Sequence, residues 1–398
     1  MKELSIYIHI PFCKSKCRYC SFYSMPLYDN SAYFEKYAEI LIKEIKTCSE
    51  KYSLSDSRIK SIYFGGGTPS VMPEIFFKNL TDYIYKNFKI QEGAEITAEI
   101  NPESGCLEKL SALKSFGINR LSIGTQSFND AVLKTAGRIH TAKNIYDAVN
   151  NAKKAGIKNI SLDLILGLPG QTDDIFQNDI EKITDINPKH ISAYMLSIES
   201  GTMFYKIYNE KDAGKNGFRF ICDEKIAEYY ETLCKILEKK GYHHYEISNF
   251  SKNGYESRHN MNYWKRGEYL GLGPSASSFL KLKDGKEIRK TNISDLDKFA
   301  KKIENQEGLN LGFDLYLDKN LDLDSIEVLT EKDKINEEIF LSLRTSEGIN
   351  AKRLSELTVP EIINNLINEG FMQNYKENIA LTLKGMLLSS EIFARVMI

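Results

Sequence analysis

At 398 residues, with 53 basic against 54 acidic side chains and a formal net charge of -1, the chain is long enough for two domains and carries no excess of either sign. That balance excludes a bulk-charge footprint for nucleic acid or an anionic membrane surface. The opening MKELSIYIHIPF lacks the uninterrupted apolar region of a signal peptide and no run approaches a membrane span, so a cytoplasmic protein without a transmembrane segment is expected.

The apolar run Leu4 to Ile10 reads as a first strand, and directly after it comes Cys13-Lys14-Ser15-Lys16-Cys17-Arg18-Tyr19-Cys20. Three thiols spaced CxxxCxxC cannot pair off as disulfides, so they read as a metal or cluster site. Three thiolates can hold three irons of a 4Fe-4S cluster and leave the fourth iron open, whereas electron-transfer clusters are held by four. Zinc is the competing reading, with His9, Cys13, Cys17 and Cys20 as a Cys3His set. Cys48, Cys106, Cys222 and Cys234 are scattered and are expected to be reduced structural thiols.

Helical spacing follows at Tyr33, Tyr37, Ile40, Leu41 and Ile45, with Asn30 or Ser31 as N-cap. A buried strand over Ile59 to Phe64 ends in Gly65-Gly66-Gly67-Thr68-Pro69-Ser70. Helices and strands then alternate, with strands at Glu95 to Ile100, Arg120 to Gly124, Ile160 to Leu166 and Ile191 to Ile198. Six strands alternating with helices predict an α/β fold with a parallel sheet, best described as an open or partial (β/α)6 TIM-like barrel, with a doubly wound sheet as the competing arrangement. In such folds the working residues sit at the C-terminal ends of the strands. The cysteines, the triple glycine, Glu99, Gln126 and Asp163 all fall there. Asp163 sits in an otherwise apolar strand and needs a cation, for which Arg138 is the candidate, or a ligand hydroxyl. The glycines either permit a tight turn or let the backbone approach a polar ligand.

CxxxCxxC after the first strand together with GGGTPS after the second resembles the radical S-adenosylmethionine superfamily. The resemblance implies that Cys13, Cys17 and Cys20 ligate a 4Fe-4S cluster whose free iron is chelated by S-adenosylmethionine (SAM). Within the superfamily the chain looks like the group that contains oxygen-independent coproporphyrinogen III oxidase, an enzyme of porphyrin biosynthesis, and its heme-chaperone relatives. That pattern places SAM contacts on Tyr7, Tyr19, Gly66, Gly67, Thr68 and Glu99, and further contacts on Gln126, Arg138 and Asp163. The oxidases carry a further cysteine two positions after the third ligand, where Phe22 stands here, and a segment before the first strand. Both departures count against oxidative decarboxylation of coproporphyrinogen and favour the chaperones, while the intact cofactor residues keep a radical enzyme of tetrapyrrole chemistry, the oxidase first, as the alternative. His259-Asn260-Met261-Asn262-Tyr263-Trp264 resembles the HNxxYW pattern of the chaperones and makes His259 the candidate axial ligand of heme iron, with Arg258, Lys265 and Arg266 for the propionates and His243 and His244 as competing ligands. Heme, acceptor hemoproteins such as respiratory enzymes, an electron donor and a second copy in a homodimer are the implied partners.

The segment from Lys281 to about Thr330, including Asp314, Asp318, Asp322 and Asp324, is polar and predicts a connecting region with short helices. Apolar spacing at Ile335, Ile339, Phe340 and Leu343, a helix near Pro360 to Ile367 and a hairpin over Phe371 to Leu383 predict a winged-helix-like module. Eight Lys/Arg against ten Asp/Glu over 331–398 leave it without a basic footprint, so it should pack or dock rather than bind DNA. The expected division is a radical SAM core over 1–230, an extension over 231–330 and the C-terminal module over 331–398.

Overall fold

The computed structural model describes residues 2–26, 31–209, 218–305 and 324–398. Asn30, Asp314, Asp318 and Asp322 lie outside them, as does the side chain of Tyr33.

Six parallel strands form the centre of one sheet: β1 (Glu3–Ile10), β2 (Arg58–Gly66), β3 (Lys89–Ile100), β4 (Arg120–Gln126), β5 (Asn159–Leu166) and β6 (His190–Met195). They neighbour one another in sequence order, as successive βα units require. Leu4, Ile6, Ile8 and Ile10 of β1 are all fully buried, because helices cover one face and inward-pointing side chains fill the other. β1 pairs on its outer side with Tyr269–Leu272 and β6 with Asn249–Ser251, so β1 and β6 do not meet. The barrel is open, as expected.

The predicted connecting region is a correction. Ser277–Lys281 and Glu287–Thr291 form an antiparallel hairpin and Ser325–Val328 adds an edge; with Tyr269–Leu272 on the same side and Asn249–Ser251 and His243–Glu246 on the other, they extend the central sheet to twelve strands, and Leu296–Asn305 is a helix. The described strands of the extension therefore share the core's sheet rather than lying beside it. β6 ends at Met195, short of Ile198, and helices Asp130–Thr135 and Met203–Asn209 were not anticipated.

The C-terminal segment folds as helices Glu331–Leu343, Ala351–Leu357 and Pro360–Asn368 against a three-stranded sheet. Its hairpin turns at Lys376, whose φ of +55° is the left-handed conformation of a tight turn. The order of elements is winged-helix-like, as the spacing predicted. Arg344 and Ser346 exchange backbone hydrogen bonds with Ile247 and Tyr245, which fixes the module against the end of the core sheet. No helix among the described residues is long and apolar enough to cross a membrane.

Candidate functional site: a thiol loop and an adjoining cavity

Phe12–Cys13 pairs with Met25–Pro26, closing the cysteine loop at its base. The loop is then pinned at its middle. Arg18 accepts Phe204 N–H at its carbonyl, donates its own N–H to Ala136 O, and reaches Thr135 O with Nη1 at 2.9 Å.

Two thiols receive hydrogen bonds from one relay. Thr68 Oγ1 donates to Cys13 Sγ and Arg138 Nη1 to Cys17 Sγ, each at 3.4 Å. Asn101 joins them, giving Nδ2–H to Thr68 Oγ1 at 3.1 Å and taking Arg138 Nη2–H at 2.7 Å. Donors aimed at sulfur suit thiolates, the form in which cysteine binds iron. Burial pushes the Cys13 and Cys20 thiols up, so bound metal would be needed to keep them deprotonated at neutral pH. The arrangement fits a cluster held by Cys13, Cys17 and Cys20. It does not fit zinc with His9, whose Nδ1 lies 3.1 Å from Tyr7 Oη and whose Nε2 lies 2.9 Å from Tyr23 O. No three His, Cys, Asp or Glu side chains among the described residues converge on one metal ion. Two of the scattered thiols are not structural in position: Cys106 and Cys222 are exposed, whereas Cys48 and Cys234 are buried.

The glycine turn is explained by packing. A Cβ on Gly67 would stand 2.8 Å from both Ile10 O and Phe12 O, and Gly66 has a φ of +112°. Gly66, Gly67 and Thr68 give their N–H groups to Glu99, Ile10 and Phe12, and the Thr68 carbonyl accepts Val71 N–H, so none of the three N–H groups is left for a ligand. Glu99 also accepts Tyr63 O–H at 2.8 Å. Burial, with Asp163 nearby, pushes its carboxyl up to about 7.

Asp163 lies beside Ser122 and Ser161, both within 3.3 Å, and burial raises its pKa. Its partners are hydroxyls, and the expected pairing with Arg138 is corrected: that guanidinium is committed to Asn101, Gly124 O and Cys17. Gln126 ends β4 in the left-handed region at φ +65°. Tyr7 packs on Tyr63, and Tyr19 beside Phe204, with burial raising both phenols. Asn101 and Tyr63 were missed by sequence reasoning, although both lie at or next to the strand ends that the rim argument singles out.

HNMNYW forms the helix Arg258–Trp264. Ser257 caps it, and Glu95 of β3 accepts the Arg258 and His259 N–H groups at 3.2 and 3.1 Å, an anion where a helix N-terminus favours one. This orientation buries His259 and presents Tyr263 and Trp264 to a cavity of about 960 Å³. Its other walls are Lys16 and Phe22 of the cysteine loop, Tyr269 and Arg289 of the extension, and Phe340 of the C-terminal module. The volume is that of a pocket for a large organic ligand, and aromatic walls with a few cations suit a flat, apolar, anionic one. Of the proposed cations, Arg266 is paired with Glu287 and Glu337, Arg258 reaches Gly93 O, and Lys265 does not line the cavity; the cations on its wall are Lys16 and Arg289, and Arg289 is itself held by Glu337 and Tyr269. His243 is exposed and His244 stacks on Phe250; neither lines the cavity.

An open six-strand α/β core with three cysteines on the loop after its first strand defines the class, and comparison agrees. Residues 7–183 match the radical SAM superfamily and residues 329–388 the HemN C-terminal domain. The heme chaperone HemW of Lactococcus lactis is 34% identical across 100% of this chain and 98% of its own, and that of Bacillus subtilis 33% identical across 98% of each. The chain belongs to the HemW family. Its fold is also that of coproporphyrinogen III oxidase (HemN) from Escherichia coli, at 22% identity and a TM-score of 0.79 over 100% of this chain and 90% of that one.

Proposed function

We infer that this protein is a cytoplasmic heme chaperone: it binds heme and delivers it to acceptor hemoproteins such as respiratory enzymes. The observation that carries the reading is the aromatic cavity, built jointly by the thiol loop, HNMNYW and the C-terminal module. Cys13, Cys17 and Cys20 would hold a 4Fe-4S cluster, and Tyr7, Tyr19, Gly66, Gly67, Thr68, Glu99, Gln126, Arg138 and Asp163 would line the SAM site. When bound, such a cluster supplies single electrons to a chelated sulfonium, fed by an electron donor. This chain's own residues orient the thiols through Thr68 and Arg138. Cluster and SAM would govern folding, homodimer formation or cargo release. Phe22, 67% exposed on the cavity wall, stands where the oxidases carry a cysteine and argues against decarboxylation of coproporphyrinogen.

The test is anaerobic. The iron- and sulfide-reconstituted chain is loaded with hemin, passed over a sizing column and mixed with an apo-hemoprotein, while a parallel sample receives SAM, reductant and coproporphyrinogen III. Heme that co-elutes and then transfers, with the porphyrinogen mass unchanged, is expected. Failure to retain heme with the cluster intact, or loss of two carbon dioxide units from the porphyrinogen, refutes the reading.

A further inference from the structure

His259 and Tyr263 lie four residues apart on Arg258–Trp264, so their side chains share one helix face. His259 is 1% exposed, and both its ring nitrogens are occupied. Nδ1 lies 2.8 Å from Ser61 Oγ and Nε2 2.8 Å from Tyr263 Oη. Ser61 donates its hydroxyl hydrogen to Ser5 Oγ at 2.8 Å, so it must accept from Nδ1–H. The tautomer is thereby set, and the one free lone pair, on Nε2, points at the Tyr263 hydroxyl. An imidazole ligates a metal through that same lone pair, so His259 cannot hold iron while it holds Tyr263.

Tyr263, by contrast, forms part of the cavity wall beside Trp264 and Tyr269. Its ring is fixed edge-on against Tyr269 at 4.6 Å and against His259 at 5.0 Å. Tyrosine is an established axial ligand type for heme iron.

We propose that Tyr263 supplies the axial oxygen to ferric heme in this cavity, and that His259 is a positioning residue whose Nε2 lone pair holds the phenolic hydroxyl. The proposal rests on the heme-binding reading above. Ligation forms one Fe–O bond; the phenolic hydrogen stays shared along the existing hydrogen bond to Nε2, so no other bond breaks and no electron changes hands.

Ferric heme bound to the reconstituted full-length chain is read by resonance Raman and electron paramagnetic resonance. A high-spin ferric signal with iron-phenolate vibrations is expected. Tyr263→Phe should abolish those vibrations and weaken uptake, with the iron-sulfur content and melting temperature showing that the variant is folded. His259→Ala should weaken uptake by roughly 10- to 100-fold, the range for losing a group that supports a metal ligand, yet retain the phenolate vibrations. His259→Gln, whose side-chain oxygen can still accept the hydroxyl, should recover most of that loss. A nitrogen-ligand signature that survives Tyr263→Phe and vanishes in His259→Ala overturns the proposal and leaves heme binding standing. No uptake by the unmodified chain with its cluster intact overturns both.

Discussion

Glu99 places a titratable carboxyl at the rim of the barrel with two fixed donors, Tyr63 O–H and Gly66 N–H, and raises it from about 4.5 to about 7. A carboxyl whose folded-state pKa lies above its unfolded value holds its proton longer in the folded chain. Stability is then greatest below pH 4.5 and falls as pH rises through the window to about 7. The fall attributable to Glu99 should be on the order of 2–3 kcal/mol. Glu99→Gln, which can still accept Gly66 N–H and donate to Tyr63, should flatten it in urea unfolding measured from pH 4.5 to pH 7.5, leaving a residue of slope from Asp163, whose shift has the same sign. An unchanged slope would place Glu99 in a wetter setting than its partners indicate. The position of such residues was legible, because a strand end is where a period-two pattern breaks. Their partners were not. Arg138 seemed the natural cation for Asp163, yet the fold carries it across to Cys17, 121 residues away in sequence, and satisfies Asp163 with serines.

The turn Gly65-Gly66-Gly67 is an element whose sequence admitted two readings, and packing settles which constraint acts on the glycine positions. At Gly67 any side chain meets two backbone carbonyls that cannot step aside without parting the β1–β2 ends, so Gly67→Ala should cost about 1–3 kcal/mol and lower iron incorporation on reconstitution. Gly170→Ala is the control: nothing lies within 4 Å of its Cβ, its φ of +89° makes the cost purely conformational, at about 1–2 kcal/mol, and iron content should not change. Equal iron loss in both variants would refute the role given to the turn. Strands β1 to β6 were readable as short apolar-rich runs between turn signals, although polar side chains such as Ser5, Glu95, Ser122 and Ser161 are buried among them. The extension strands were not. Glu287–Thr291 buries only alternate residues under a charged surface, and Ser325–Val328 is exposed throughout, so neither stands out from a loop.

At the scale of the molecule, the cavity has walls from three parts of the chain, and a ligand that fills it must stabilise their junction. Binding adds RT ln(1 + [L]/Kd) to stability, about 2.7 kcal/mol at a hundredfold excess over Kd. Ferric heme should therefore slow amide hydrogen exchange both in residues 16–24 of the thiol loop and in residues 337–341 of the C-terminal module. Protection confined to one of them would place the ligand elsewhere. The thiol loop and HNMNYW were visible as motifs, but the joint authorship of this cavity was not: Phe22, Tyr263 and Phe340 are each an ordinary aromatic until the fold brings them together.

The pinning of the thiol loop also sets an order of events in synthesis. Cys13, Cys17 and Cys20 leave the ribosome well ahead of the groups that hold their loop, which are Thr68, Thr135, Ala136, Arg138 and Phe204. At roughly 5–20 residues per second, the nascent chain carries three unsupported thiols for about 10–40 seconds before the last of these emerges. Metal insertion therefore belongs after translation of the core. A pause in synthesis before Phe204 would lengthen the time in which oxygen or a stray metal ion finds the cysteines first.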